Sequence, residues 1–248
     1  SKETLKEIER QSKILANELD VVGLMNIQFA IQKNEIYVLE VNPRASRTVP
    51  FVAKSHGKSI VKIATSIIMG KKLKDFKPLS DYKLLNHFNI KEPVFPFKKF
   101  QNVDVLRGPE MKSTGEVMGI DKNFKIAYAK SQIAAGINLP SNGNVFVSVK
   151  DKDKKELIAI AKKLIKLGFK LMGTVGTTNF LLKRNILIRK INKISEGSPH
   201  VVDLLKINKI NLVINTTEGK TSTGDSYVMR RNRLLTNTPY YTTIKGAN

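Results

Sequence analysis

The sequence predicts an α/β protein in which a hairpin-bearing α+β segment precedes a mainly parallel α/β domain. Three observations carry this reading. From Gly23 to Pro50, two apolar runs flank a polar Lys33–Asn34 turn and end in a cluster of polar side chains, the pattern of an antiparallel hairpin. After Gly136, short apolar runs alternate with helical patterns, as in βα units. The chain contains no cysteine, and no apolar run reaches the roughly 18 residues that span a bilayer. Its 248 residues suffice for one large or two modest cores.

Taken in order, Leu5, Ile8, Leu15 and Leu19 recur at near-helical spacing and predict a helix over Thr4–Leu19. In the hairpin, the period of two places Ile36, Val38, Glu40 and Asn42 on one face and Tyr37, Leu39 and Val41 on the other. Folding about Lys33–Asn34 brings Gln28 within about one residue of Glu40. A second helix over Lys58–Met69 would bury Ile60, Ile63, Ala64 and Ile67 and stop at Gly70. Residues 71–136 read as a connecting region of short strands. Pro78, Pro93, Pro96 and Pro109 punctuate it, and a helix over KNFKIAYAKSQIAAG closes it.

The α/β domain opens with the strand VFVSV. Asp153 and Glu156 then form a capping-box start for a helix whose stripe is Leu157, Ala161, Leu164 and Ile165, ending by Gly168. Strand-like KLM, FLL and NLVIN segments alternate with helices around Pro199–Lys206 and Asp225–Leu235, implying a sheet covered on both faces. The expected domains are 1–70, 71–136 and 137–248.

The chemistry falls in two clusters. Gln28, Glu40 and Asn42 supply one carboxylate and two amides, and magnesium takes such hard oxygen ligands while phosphates and water complete its octahedron. Pro43 interrupts the strand, and Arg44 and Arg47 follow, with guanidinium forks that match phosphate oxygens. A lone strand glutamate near an arginine would be a surface ion pair; five polar groups on an apolar hairpin argue for more. The second cluster lies beyond the carboxyl ends of the parallel strands, where ligands bind in open sheets. It comprises the GTVGT run 173–177, Asn215-Thr216-Thr217 before Gly219, and Lys154 at a helix start. Hydroxyls, glycine amides and lysines without a catalytic base describe a phosphate pocket.

The net charge is +22, which raises the question of nucleic-acid binding. The lysines are spread over the whole length, and in KDKDKKELIAIAKKLIKLGFK they interleave with Leu and Ile as the wet face of a helix. No RNA-binding aromatic signature or finger spacing appears, so neither nucleic acid nor membrane is expected as a partner. His56, His87 and His200 are mutually isolated and read as structural, and Asp225, Arg230 and Arg231 as surface ion-pair residues. The N-terminus SKETLKEIERQSKIL has no signal-peptide pattern, and a reducing cytoplasmic setting fits the absence of cysteine.

The segment EVNPRASR, with the upstream NIQ, resembles the magnesium–ATP end of the ATP-grasp fold. Its continuation through SRTVPFVAKSHGKSIVKIATSIIMGKKL, VFPFKKFQNVDVLRGPEMKSTGEVMGI and INTTEG resembles the carbamoyl phosphate synthetase large chain. The match runs from late in its second ATP-grasp module through its methylglyoxal synthase-like regulatory domain. The resemblance implies a partial ATP-grasp subdomain, ATP as substrate, and Mg2+ or Mn2+ on Gln28, Glu40 and Asn42. Arg44 and Arg47 would be the catalytic cations, and Gln28, Glu40 and Arg44 would contact ATP. Lys154, Thr174, Thr177, Lys193, Asn215 and Thr217 would hold a UMP- or IMP-type effector, and Glu92 and Thr242 an ornithine-type one. It further implies phosphorylation of carbamate for pyrimidine and arginine biosynthesis, a glutaminase small subunit, and an oligomeric parent enzyme. The flap, adenine pocket and most phosphate-binding lysines of the family would precede Ser1, so the fragment alone is expected to be inactive. At the other end, Lys245-Gly246-Ala247 departs from the family's glycine pair. Another ATP-grasp ligase or carboxylase would share the hairpin without the second domain, and a free-standing nucleotide-sensing module would share that domain alone.

Overall fold

The computed structural model describes residues 1–76, 85–95, 115–216, 228–229, 236 and 238–248. Two compact units divide the chain: Ser1–Asn89 with Ile120–Phe124, and Ile90–Gly119 with Lys125–Asn248.

In the first unit, α1 (Lys2–Glu18) starts where the Thr4 N–H donates to Ser1 Oγ at 3.1 Å. The hairpin follows as β1 (Asn26–Gln32) and β2 (Glu35–Asn42). Lys33 and Asn34 both adopt left-handed φ, +48° and +71°, as a two-residue hairpin turn requires. Gln28 stands directly opposite Glu40 and Asn26 opposite Asn42. Between Gln28 and Phe29 the register shifts, so that Phe29 pairs with Val38 and Leu39 is left over. This bulge corrects the simple alternation. Phe29, next to Gln28, faces the other way and takes Val38 with it, so Ile36 and Val38 lie opposite the face of Glu40 and Asn42.

A helix absent from the sequence reading, α2 (Thr48–His56), follows the arginine-bearing loop. Pro50 lies in its first turn, where no backbone donor is needed, and Gly57 ends it at φ +63°. Next comes α3 (Ile60–Ile68), in which Ala64 is buried while Ile60, Ile63 and Ile67 are only half-buried. Apolar side chains of this unit are widely exposed, Leu5, Leu39, Ile68 and Met69 among them.

Strands β3 (Phe88–Val94) and β4 (Gly115–Asp121) form a two-stranded sheet, followed by α4 (Phe124–Ala134). Gly119 rests on α4: a Cβ there would fall 1.9 Å from the Ala127 carbonyl oxygen and 2.6 Å from the Ser131 nitrogen.

The rest of the second unit is built on a five-stranded parallel sheet in the order β7-β6-β5-β8-β9. Its strands are β5 (Gly143–Ser148), β6 (Phe169–Gly173), β7 (Arg189–Lys190), β8 (Leu212–Asn215) and β9 (Tyr240–Tyr241). Helices α5 (Lys154–Lys166), α6 (Val175–Leu182), α7 (Val201–Lys206) and α8 (Ile244–Ala247) complete the described elements. Alternation sorts the central residues. Val145, Leu171 and Leu212 sit side by side and join Leu157, Ile160, Ala161 and Leu181 on one face. Phe146, Met172 and Val213 sit side by side and join Val201, Val202 and Leu205 on the other.

Three expectations fail here. The FLL segment is the end of α6, because Leu181 continues the buried helical stripe of Thr177 and Thr178; three apolar residues alone cannot distinguish strand from helix. Asp153 makes no side-chain cap: it ends a 3-10 turn over Asp151–Asp153, and its carboxylate lies 4.0 Å from Lys150 Nζ. Within α5, Ile160 replaces the expected Ile165 in the buried stripe, and Ile165 is 40% exposed. The expected helix over 225–235 lies almost entirely outside the described residues, as do Pro78, Pro96 and Pro109.

Gly119→Ala should lower stability by about 1–3 kcal/mol, since the added methyl meets backbone that cannot rotate away. A urea midpoint equal to that of the unaltered chain would show that α4 does not rest on β4 as described.

Candidate functional site

The carboxyl ends of β5, β6 and β8 finish level, with Val147 opposite Gly173 and Ser148 opposite Asn215. Beyond them lies a cleft of about 340 Å³, lined by Ser148, Lys150, Lys154, Thr174, Thr177 and Lys193, among others. Its floor is a web of hydroxyls. Ser148 Oγ and Thr174 Oγ1 are 3.1 Å apart. The Val149 N–H donates to Thr177 Oγ1 at 3.2 Å, and the Lys150 N–H to Thr216 Oγ1 at 3.1 Å. Asn215 is buried, and its Nδ2 donates to the Tyr240 hydroxyl at 2.6 Å. These bonds fix the loop after β5 to the ends of its neighbours.

The electrostatics favour an anion. The first turn of α6 leaves backbone N–H groups without helical partners, and Thr174 makes no side-chain cap to satisfy them. Lys154 Nζ lies alongside: a Cβ on Gly176 would be 3.6 Å from it. Phe180 supports that ammonium, its ring centroid 5.8 Å away. Among the described lining residues, three lysines oppose one carboxylate, that of Asp151. The side-chain bond from Lys154 holds the Asp151 carboxyl below its ordinary range.

Five residues singled out in the sequence, Lys154, Thr174, Thr177, Lys193 and Asn215, line this one cleft; Thr217 lies outside the described residues. Sequence reasoning missed Ser148, Lys150, Asp151 and Ser195, while Thr216 was marked within the Asn215-Thr216-Thr217 run. Ser148 and Lys150 could have been found by applying the strand-end rule to VFVSVK, because they stand at the carboxyl end of β5.

On the hairpin, Gln28 Nε2–H donates to Glu40 Oε1 at 2.6 Å and Asn42 Nδ2–H donates to the same oxygen at 3.0 Å. Both amides thus meet at one carboxylate oxygen, that of Glu40. Turning either amide over would present its oxygen in place of its nitrogen, so the donor set fits a hard divalent cation that also binds phosphate oxygens. Arg44 Nη1–H donates to the Ala45 carbonyl at 3.1 Å, and Arg47 is exposed at the entry to α2.

Glu92 is half-buried on β3, and Thr242 is exposed between β9 and α8; no hydrogen bond joins them. The Tyr128 hydroxyl is pushed up by burial first and by the charge of Glu92 second. His200 opens α7, where its N–H and the Ser198 hydroxyl both donate to Asp203, at 3.0 and 2.7 Å. His87 Nδ1 is buried and has no hydrogen-bond partner among the described residues.

A hairpin carrying a carboxylate between two amides, joined to a parallel sheet with a cationic, hydroxyl-floored cleft at its carboxyl end, defines a class: an ATP-binding segment coupled to a methylglyoxal synthase-like domain. Residues 1–76 match the family described as carbamoyl-phosphate synthase L chain, ATP binding domain, and residues 156–242 the MGS-like domain. Relatives about 49% identical over nearly the whole chain are named carbamoyl phosphate synthase large chain, one of them as its C-terminal section. The chain is 49% identical to the carbamoyl phosphate synthase large chain of Mesorhizobium japonicum over 249 residues, 99% of this chain and 21% of that protein. It is 48% identical to the C-terminal section of that large chain from Aquifex aeolicus over 261 residues, 99% of this chain and 49% of that one. A crystal structure of methylglyoxal synthase from Elizabethkingia anophelis aligns at TM-score 0.36 and 15% identity, over 44% of this chain and 76% of its own. The chain therefore spans about a fifth of its full-length relative and about half of the separate C-terminal section.

Thr177→Val should cost about 1–3 kcal/mol, because the Val149 N–H loses its buried acceptor without any change of shape. Thr177→Ser should restore most of it. Equal denaturation midpoints for all three proteins would remove Thr177 as the tie between the loop and α6.

Proposed function

We propose that this chain is part of an ATP-dependent C–N ligase that makes carbamoyl phosphate. Its hairpin serves the phosphorylation of carbamate, and its parallel domain binds a nucleotide effector. The observation that supports this best is the occurrence, in one chain, of the Gln28–Glu40–Asn42 cluster and the cationic cleft, each in or beside the segment its matching family covers.

Gln28, Glu40 and Asn42 would hold Mg2+ or Mn2+, which when bound neutralises charge on the ATP phosphates. Glu40 brings the only negative charge among the three, so the phosphates complete the site rather than compete with it. Arg44 and Arg47 would orient phosphate oxygens bidentately, and Gln28, Glu40 and Arg44 would contact the nucleotide. Phosphoryl transfer depends on positioning and charge neutralisation more than on covalent catalysis, which suits a site with no nucleophile. The exposed apolar surface of the first unit agrees with a domain completed by more polypeptide than these residues, as in the longer relatives.

In the second domain, Lys154, Thr174, Thr177, Lys193 and Asn215, with Thr217, would bind the phosphate and ribose of a UMP- or IMP-type effector. Glu92 and Thr242 are the candidates for an ornithine-type ligand. The domains would run over 1–70, 71–136 and 137–248. Ammonia would come from a glutaminase small subunit within an oligomeric enzyme of the cytoplasm, feeding pyrimidine and arginine biosynthesis. Among the described residues no helix is long and apolar enough to cross a membrane.

In the parent enzyme, Glu40→Gln should cut carbamoyl phosphate synthesis at least tenfold while leaving circular dichroism unchanged. A residual rate above about a tenth, worth about 1.4 kcal/mol in the barrier, would contradict a metal-binding role.

Calorimetry on the 248-residue chain tests the cleft. Lys154→Ala should weaken UMP or IMP roughly tenfold or more, as expected for a charge-assisted bond. Lys193→Ala should weaken it by only about threefold, because solvent screens an exposed lysine. Neither should alter the weaker binding of the free nucleoside. Equal losses for nucleoside and nucleotide would mean that the lysines support structure instead.

A further inference from the structure

The cleft at the end of the parallel sheet already contains an anion of its own. Asp151 lies in the 3-10 turn between β5 and α5, and its Oδ1 is 2.6 Å from Lys154 Nζ. The two partners differ in solvation: the Lys154 side chain is 17% exposed and that of Asp151 is 94% exposed. Lys154 cannot easily move away, because its ammonium is bounded by the Phe180 ring and by the first turn of α6 at Gly176. Asp151 can, since its carboxylate returns to water at little cost when it swings off the lysine. The second acid of the turn, Asp153, stands near the neighbouring cleft lysine, Lys150, at 4.0 Å.

We propose that Asp151 is a tethered competitor for the phosphate of the ligand, occupying Lys154 in the free cleft and raising the threshold that any phosphate group must overcome to bind there. This rests on the reading of the cleft as a phosphate site. An incoming anion must replace one negative charge already at hydrogen-bond distance from the ammonium, and it meets repulsion from the displaced carboxylate a few ångströms away. A monoanion exchanges like for like at Lys154 and gains little. A dianion interacts about twice as strongly with the same ammonium and with the α6 N–H groups, but it also meets the larger repulsion from the carboxylate. Because Lys154 holds the Asp151 carboxyl below its ordinary range, the competitor keeps its charge at neutral pH.

The experiment is isothermal calorimetry at low ionic strength and pH 8 on the full 248-residue chain. The probes are UMP, its singly charged 5′-methyl ester, and uridine. Asp151→Asn should tighten UMP by about 3- to 10-fold and the methyl ester by no more than that, since the lost repulsion is larger for the dianion, with uridine unchanged. In a Lys154→Ala background the same substitution should give no such gain, which separates competition for Lys154 from a general change in surface charge. Weaker or unchanged UMP binding by Asp151→Asn would overturn the proposal and make Asp151 a positioning residue for Lys154 or a bystander. If none of the proteins binds UMP, IMP or inorganic phosphate, the phosphate-site reading itself falls and takes this inference with it.

Discussion

Strand β5 is paired in parallel on both sides, to β6 and to β8, and that double pairing aligns three strand ends in one plane. Every feature of the cleft depends on it. Parallel pairing runs the strands in one direction, so the segments after β5, β6 and β8 all start at the same edge of the sheet. Residues distant in sequence therefore meet: Ser148 with Thr174, Val149 with Thr177, Lys150 with Thr216. The alternation that buries Val145 and Val147 on one face and Phe146 on the other is what keeps β5 in the centre.

The hairpin cluster has a different origin. It is local, made by a two-residue turn and a register that puts Gln28 opposite Glu40 within 12 residues of chain. Little tertiary packing supports it, since most side chains of β1 and β2 are exposed or half-buried. The bulge at Leu39 keeps the polar triad on one face while turning Val38 away from it. The cluster is held by backbone pairing more than by a surrounding core.

Charge acts at two scales. The net charge of +22 is spread along the chain, and in α5 Lys155, Lys162, Lys163 and Lys166 face solvent, where screening leaves them little local effect. Lys154 is different because it lies against a helix start and an aromatic ring, largely out of water, with one carboxylate as its partner. The same residue type thus faces water at four positions of one helix and lines the cleft at the first.

The sequence by itself determined the elements with strong local signals: α1, the hairpin with its left-handed turn, α4, β5, α5 and the strand over 212–215. It also marked five of the cleft residues, because Thr and Gly after a strand and Lys at a helix start are local patterns. Tertiary structure alone decided the rest. Phe180 to Leu182 became helical because Leu181 fills the core beneath α6, a choice that a three-residue run does not encode. The edge strands Arg189–Lys190 and Tyr240–Tyr241 are too short for any periodic signal and exist only because β6 and β8 offer unpaired backbone. Ser148 and Asp151 entered the cleft for the same reason. Their neighbours there come from other strands and helices, and pairing register, not sequence distance, sets which side chains share a space.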